Sequence, residues 1–287
     1  MTPPWPTHHT PCYDVSGTIL TCVATSAFSP GDRVYGRIAA AREGAAREYG
    51  NVLPLEVALV PKLLSSSSTA AIPMSALTAW QGLFEHGELA GKGGIVPRID
   101  DNGEVIGGAL GRGKRVLVLG AAGGVGLMAV QFGKLVGAYV VGTCSAGNGA
   151  FVRGYGADEV VDYHVTGLAE YVDGDGDGDG NGKFDLVLDC VGGESMMDGW
   201  NAVRPRGTYI SVVPGFREPE GGKPETVRCK WFIMDSRGSE LEAIGKFIDK
   251  GLVRGTVDSV WVIGDFEKAF ERTAGGHARG KVVIRIA

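Results

Sequence analysis

The chain has 287 residues, 44% of them hydrophobic and 21% charged, which suffices for one large or two modest domains and excludes wholesale disorder. A net charge of -5 with no basic block leaves no electrostatic footprint for nucleic acid. No apolar run reaches the roughly 20 residues of a membrane-spanning helix. The most apolar stretch, residues 116–130, is interrupted by four glycines and reads as strand, turn and helix.

The first eighty residues predict short strands and turns. Residues 15–23 form a β-rich run, and Ser29, Pro30, Gly31 and Asp32 supply turn chemistry before a second run at Arg33. A serine-rich break at 65–68 precedes a helix expected over 70–84, and residues 91–114 read as a Gly-rich surface loop. From Arg115 strands and helices alternate. Strands are expected at 116–119, 139–143, 160–161, 186–188 and 208–212, and helices at 124–135 and 148–155. That alternation implies right-handed crossovers and a parallel sheet covered on both faces.

The start of the chain, its cysteines and one low-complexity segment set further expectations. The start of the chain has no apolar signal core and no basic residue before Arg33, so neither a secretory signal nor an Arg-rich transit peptide is expected. The five cysteines are scattered, with no C-x-x-C pair. They point to a reducing compartment, the cytoplasm, and to no zinc knuckle. The Asp/Gly-rich segment 173–182 looks superficially calcium-like. An EF-hand loop starting at Asp173 or Asp175 would need a glutamate at its twelfth position, where Phe184 or Leu186 stands, so a surface loop is expected.

The segment that carries chemistry runs from Arg115 to Gly126. A short apolar strand leads into Ala121-x-Gly123-x-x-Gly126, and an apolar helix follows at once. This is the dinucleotide fingerprint with alanine at its first glycine position. Gly123 lets the backbone approach a pyrophosphate, and Gly126 lets the helix pack closely on the strand. Ala122, Gly123, Gly124 and Val125 form the cradle, with the first free N–H groups and the helix dipole facing the anion.

The end of the second strand selects the dinucleotide. An NAD site places an acid there for the ribose 2′-hydroxyl. This sequence offers Thr143, Cys144 and Ser145, so NADPH is expected, with Ser145 on the 2′-phosphate and Arg153 or Tyr163 adding to it.

Several phrases resemble the medium-chain dehydrogenase/reductase superfamily, in its zinc-free quinone oxidoreductase branch near reticulon-interacting NADPH oxidoreductases and their fungal relatives. They are Tyr13-Asp-Val-Ser-Gly17, Pro30-Gly-Asp-Arg-Val34, Leu77-Thr-Ala-Trp80 and Gly113-Lys-Arg-Val-Leu-Val-Leu-Gly120. Gly156-Ala-Asp-Glu-Val160, Asp189-Cys-Val-Gly-Gly193 and Gly276-His-Ala-Arg-Gly-Lys281 follow in family order.

The resemblance implies an α/β fold in which a Rossmann doubly wound parallel sheet (85–257) joins a partial GroES-like β domain (1–84, completed by 258–287). It implies that Ser145 and Tyr163 hold the 2′-phosphate and that Thr78 lies near the nicotinamide as the one catalytic candidate. It further implies that Val213, Phe232, Met234, His277, Ala278 and Arg279 close over the cofactor, and that the protein pairs as a homodimer through the Rossmann sheet edge. The catalytic Cys and His pair and the four-cysteine lobe of the superfamily's zinc enzymes do not occur, so no metal is expected. Relatives carry about fifty more residues before Tyr13, so either a truncated relative or a differently built or non-functional substrate half is expected.

The function implied is NADPH-dependent, zinc-independent reduction of a quinone or an α,β-unsaturated carbonyl, enoyl reductase-like, with a small-molecule substrate. The alternative is a catalytically impaired NADPH-binding protein with a regulatory or assembly role. A short-chain dehydrogenase would need a Tyr-x-x-x-Lys pair, and none of the eight tyrosines has a lysine four positions on. A methyltransferase would place an acidic ribose ligand after the second strand.

Overall fold

The structure is a computed structural model that describes residues 9–91, 93–174 and 182–286. Most of the Asp/Gly-rich segment, residues 175–181, lies outside them, and so does most of the segment before Tyr13, residues 1–8. The chain divides into two compact units, Met1–Leu77 with Asp235–Ala287, and Thr78–Met234.

The first unit opens with an antiparallel sheet of β1 (Asp14–Thr18), β2 (Arg33–Arg37) and β3 (Val57–Leu59). The strand expected over 15–23 stops at Thr18, because its last partner is Arg33 at the start of β2. Beyond that point Leu20 and Val23 are 60% and 69% exposed. The helix expected over 70–84 is interrupted. Ser65 caps α1 (Ser66–Ala70) by accepting the Ser68 N–H. Pro73, which lacks an N–H, then starts α2 (Pro73–Trp80), and a π-helical turn follows at Gln81–His86.

The second unit carries the parallel sheet. The loop expected over 91–114 contains a small antiparallel hairpin, β4 (Arg98–Ile99) and β5 (Val105–Ile106), with strands too short to show a period in sequence. β6 (Arg115–Leu119), α3 (Gly124–Leu135) and β7 (Tyr139–Cys144) follow, then α4 (Gly149–Arg153), β8 (Glu159–Asp162) and α5 (Leu168–Gly174). β9 (Phe184–Asp189), α6 (Gly193–Ala202), β10 (Val203–Ser211) and β11 (Arg228–Trp231) complete it.

The strand order is β11-β10-β9-β6-β7-β8, all parallel. That is the doubly wound Rossmann order, and it reverses between β6 and β9. One face of the sheet buries Leu117, Leu119, Val187, Trp200 and Tyr209, with the last two rings stacked at 4.3 Å. Elsewhere in the unit Trp80 meets Phe84 and Phe132 edge-on at 4.8 and 5.3 Å.

The chain then returns to the first unit with α7 (Gly238–Asp249), β12 (Val257–Val262), α8 (Phe266–Ala274) and β13 (Lys281–Arg285), where β12 and β13 pair in parallel. The expected second boundary, at 257/258, therefore moves back to Asp235. The cause is packing at long sequence separation. A Cβ on Gly238 would stand 2.2 Å from the Val57 carbonyl oxygen, and the buried Tyr35 hydroxyl donates to the Leu241 carbonyl at 2.7 Å. The first boundary moves from 84/85 to 77/78, inside α2.

Candidate functional site

The turn from β6 into α3 is fixed by its glycines, each for its own reason. Gly120 has φ +75°, and a Cβ there would lie 2.6 Å from Val191 Cγ2. A Cβ on Gly126 would lie 2.3 Å from the Gly120 carbonyl oxygen and 2.7 Å from Ala121 Cα, so only glycine lets the helix start so close to the loop. Thr143, buried at the end of β7, holds the turn in place. Its Oγ1 accepts the Gly120 N–H at 3.1 Å and its carbonyl accepts the Ala121 N–H at 2.9 Å.

Gly123 differs from these. A Cβ built there would meet only the Gly120 carbonyl oxygen, at an ordinary 3.5 Å. Among the described residues no packing requires glycine at this position, and the space beside it is open. Gly123 is also the N-cap of α3 and supplies no side-chain cap. The N–H groups of the first turn, from Gly124 onward, therefore lack intrahelical acceptors at the positive end of the helix dipole. A pyrophosphate fits this cradle on both counts.

Other predicted residues gather at the same end of the sheet. Ser145 follows β7, and its Oγ accepts from Asn148 Nδ2 at 3.2 Å. The exposed Arg153 carries a guanidinium nitrogen 3.5 Å from where a Cβ on Gly149 would be, which folds it back toward the start of α4. Burial raises the Cys144 thiol and Asp162 adds to that, while the Arg153 charge acts in the opposite direction. Tyr163 follows β8, 54% exposed, with its ring 4.3 Å from that of His164. An acid does stand nearby: Asp162 ends β8, and its Oδ1 accepts the His164 N–H at 3.1 Å.

Val213 follows β10, and its carbonyl accepts from Trp231 Nε1 at 2.7 Å. Phe232 and Met234 are buried after β11, with the Phe232 ring edge-on to His86 at 4.5 Å. The structure thus brings Ala122, Gly123, Gly124, Val125, Ser145, Tyr163, Val213, Phe232 and Met234 to segments that follow the carboxyl ends of five strands. Open α/β sheets bind ligands in the crevice outside those ends, at the switch point. Thr78 is buried on α2. His277, Ala278 and Arg279 belong to the first unit, where Asp258 accepts the Arg279 N–H at 2.9 Å and the His277 carbonyl accepts from Arg272 at 3.1 Å.

Sequence reasoning missed the role of Asp189, although it quoted the phrase that begins there. Asp189 is fully buried at the end of β9. Its Oδ1 accepts the N–H groups of Val191 at 2.9 Å and Gly192 at 2.8 Å, and its Oδ2 accepts from Ser211 Oγ at 3.0 Å. One carboxylate thus shapes the turn beside the switch point and ties β9 to β10. An aspartate three residues before a pair of glycines is the local signal for such a turn. Burial and the Asp189 charge both raise the neighbouring Cys190 thiol and Tyr209 hydroxyl.

A doubly wound sheet with an open glycine loop at its switch point defines a dinucleotide-binding α/β fold. Residues 155–284 match the family model described as "Zinc-binding dehydrogenase". The chain is 37% identical over 276 residues to the "Probable zinc-binding oxidoreductase, mitochondrial" of Arthroderma benhamiae, covering 95% of this chain and 78% of that protein. It is 32% identical over 297 residues to the "NAD(P)H oxidoreductase RTN4IP1, mitochondrial" of Danio rerio, covering 95% and 71%. The quinone oxidoreductase from Coxiella burnetii has the same fold, with TM-score 0.80 at 24% identity over 98% of this chain and 81% of that one.

The chain belongs to the medium-chain dehydrogenase/reductase superfamily, and it is an oxidoreductase.

Two of these names mention zinc. Among the described residues no three His, Cys, Asp or Glu side chains stand close enough together to hold a metal ion. The described residues therefore offer no donor set that fits a zinc ion. Among the same residues no helix is long and apolar enough to cross a membrane.

Proposed function

We propose that this chain binds NADPH at the switch point and reduces a quinone or an α,β-unsaturated carbonyl by zinc-independent hydride transfer. The observation that carries the proposal is the open Gly123 beside an uncapped helix start, with Ser145 where an NAD enzyme would hold an acid. The first-turn N–H groups of α3 bind the pyrophosphate. Ser145 Oγ donates to the 2′-phosphate, the Arg153 guanidinium neutralises it, and Tyr163 borders it. Val213, Phe232 and Met234 line the far half of the crevice and exclude water. When bound, the reduced nicotinamide supplies hydride to an electrophilic carbon. Thr78 is the hydroxyl we assign to hydrogen-bonding near that reaction.

In this reading the second unit is the NADPH-binding Rossmann domain and the first is the GroES-like substrate domain. Support comes from relatives named as NAD(P)H and quinone oxidoreductases. The free thiols among the described residues suit a reducing compartment. Relatives named as mitochondrial support the mitochondrion as the alternative to the cytoplasm.

The test is titration with NADPH and NADH, followed by a panel of quinones and enones monitored through loss of reduced-nicotinamide absorbance. The expected result is NADPH binding about tenfold or more tighter than NADH, and turnover of at least one substrate class. Equal affinity for the two dinucleotides overturns the cofactor assignment. Tight NADPH binding without turnover favours the non-catalytic alternative.

A further inference from the structure

The opposite end of the same sheet holds a cavity of about 380 Å³ that the dinucleotide reading does not use. It is lined by Lys114, just before β6, by Asp185 near the start of β9, by Arg204 and Arg206 in β10, by Arg228 at the start of β11, and by Glu88. Five residues of β6 at about 3.3 Å each separate it by roughly 16 Å from the glycine loop.

Three observations meet at this cavity. The first is charge: four cations face two carboxylates, a net +2. Asp185 is shared, since Lys114 Nζ lies 3.2 Å from its Oδ1, Arg204 pairs with the same oxygen, and Oδ2 accepts the Arg115 N–H at 2.8 Å. Arg228 pairs with Glu88 and also donates to Thr208 Oγ1 at 3.1 Å. The Arg206 guanidinium has no partner among the described residues.

The second observation is a bulge. Val203 pairs with Phe184 and Thr208 with Leu186, so four residues of β10 stand opposite the single residue Asp185 of β9. Bulges of this kind re-aim side chains, and here Arg204 and Arg206 turn to one cavity. The third observation is strain. Arg206 has φ +64° and Glu88 φ +58°, two of the three non-glycine residues with left-handed backbone among the described residues. Glycine would take either conformation at no steric cost, so a charged side chain is held there against backbone preference.

We propose that this cavity is a second anion site, and that it binds a small phosphorylated molecule carrying two negative charges. The volume lies in the range of small-molecule pockets and exceeds what one inorganic ion fills. Planar guanidinium forks match the oxygens of a phosphate monoester, and a dianion neutralises the net +2. The proposal does not depend on the dinucleotide reading, since the two sites lie at opposite ends of the strands.

The experiment is calorimetric titration with glycerol 3-phosphate, with glycerol as the uncharged control. Wild type and Gly123→Val, which closes the glycine loop, are expected to bind the phosphate equally. Arg206→Gly is expected to bind at least tenfold more weakly while melting no lower than wild type, because glycine relieves the left-handed strain. Wild-type affinity is expected to fall as salt rises. Arg206→Asn, which tolerates the same backbone, serves if the glycine variant does not fold. No binding by wild type at millimolar phosphate overturns the proposal. So does unchanged affinity in a folded Arg206 variant, and loss of binding in Gly123→Val alone would move the anion to the glycine loop.

Discussion

The two ends of the parallel sheet present positive charge by opposite means. At the carboxyl ends the chain recedes: Gly120, Gly123 and Gly126 remove side chains, and backbone N–H groups and a helix dipole supply the positive field. At the amino ends side chains advance, with three arginines and a lysine around two carboxylates. The first arrangement is preorganised and loses little rotamer entropy on binding. The second relies on long flexible cations, which salt screens and which surrender rotamer freedom when a ligand arrives. The first also depends on exact backbone placement, so it tolerates little change in sequence.

That contrast can be broken most severely at Gly126. Gly126→Ala pushes a methyl against backbone atoms that cannot yield, and is expected to cost about 3 kcal/mol or more by chemical denaturation. Gly123→Val, three residues away, is expected to leave stability within about 1 kcal/mol while weakening NADPH binding about a hundredfold, read by fluorescence titration. Similar losses of stability in both variants would mean that the glycine loop is a packing device alone.

Asp189→Ala removes the acceptor of three hydrogen bonds, two of them buried, and is expected to cost about 3 kcal/mol of stability. The matching experiment is thermal unfolding with and without NADPH, and a change below about 0.5 kcal/mol would show that the clamp is dispensable.

Ser145→Asp is expected to shift dinucleotide preference toward NADH by about 1–3 kcal/mol, because it repels the 2′-phosphate and offers the 2′-hydroxyl an acceptor. Paired titrations with the two dinucleotides measure it, and an unchanged ratio would dissociate Ser145 from the ribose.

The smallest effect is expected at the amino end of β8. Hydrogen bonds from Tyr139 and Tyr171 hold the Glu159 carboxyl below its usual range. A depressed carboxylate contributes stability that is present above its unfolded value, near 4.3, and is lost as pH falls through the lower folded value. Glu159→Gln should therefore flatten the decline of melting temperature below about pH 4. A parallel decline in mutant and wild type would remove Glu159 from the acid response.

What could be read in sequence was what the chain decides locally. The strand before Gly120, the glycine spacing and the apolar helix after it are contiguous, and α3 runs over the expected Gly124–Leu135. The segments gathered at the carboxyl ends of the strands follow from the alternation of elements. The Asp189–Ser211 bond was not legible, because its partners lie 22 positions apart and meet only once β9 and β10 pair. The β10 bulge was hidden for another reason. It places an arginine at φ +64°, where propensity favours glycine. The shortening of β1 depended on where β2 begins, and the assignment of 235–257 depended on the contact of Gly238 with Val57.

The first unit is assembled from two stretches of chain that flank the second, and its bonds reach far. Lys281 Nζ lies 3.1 Å from Asp14 Oδ2, and the Tyr35 hydroxyl bonds 206 positions along the chain. During vectorial synthesis all of Thr78–Met234 has been made before α7, α8, β12 and β13 exist. At a ribosomal rate of about 5–20 residues per second, the sheet of β1, β2 and β3 waits roughly ten seconds or more for α7 to pack on it. The nascent chain therefore holds a complete Rossmann unit together with a three-stranded sheet whose buried Tyr35 and Val57 still lack the helix that packs on them.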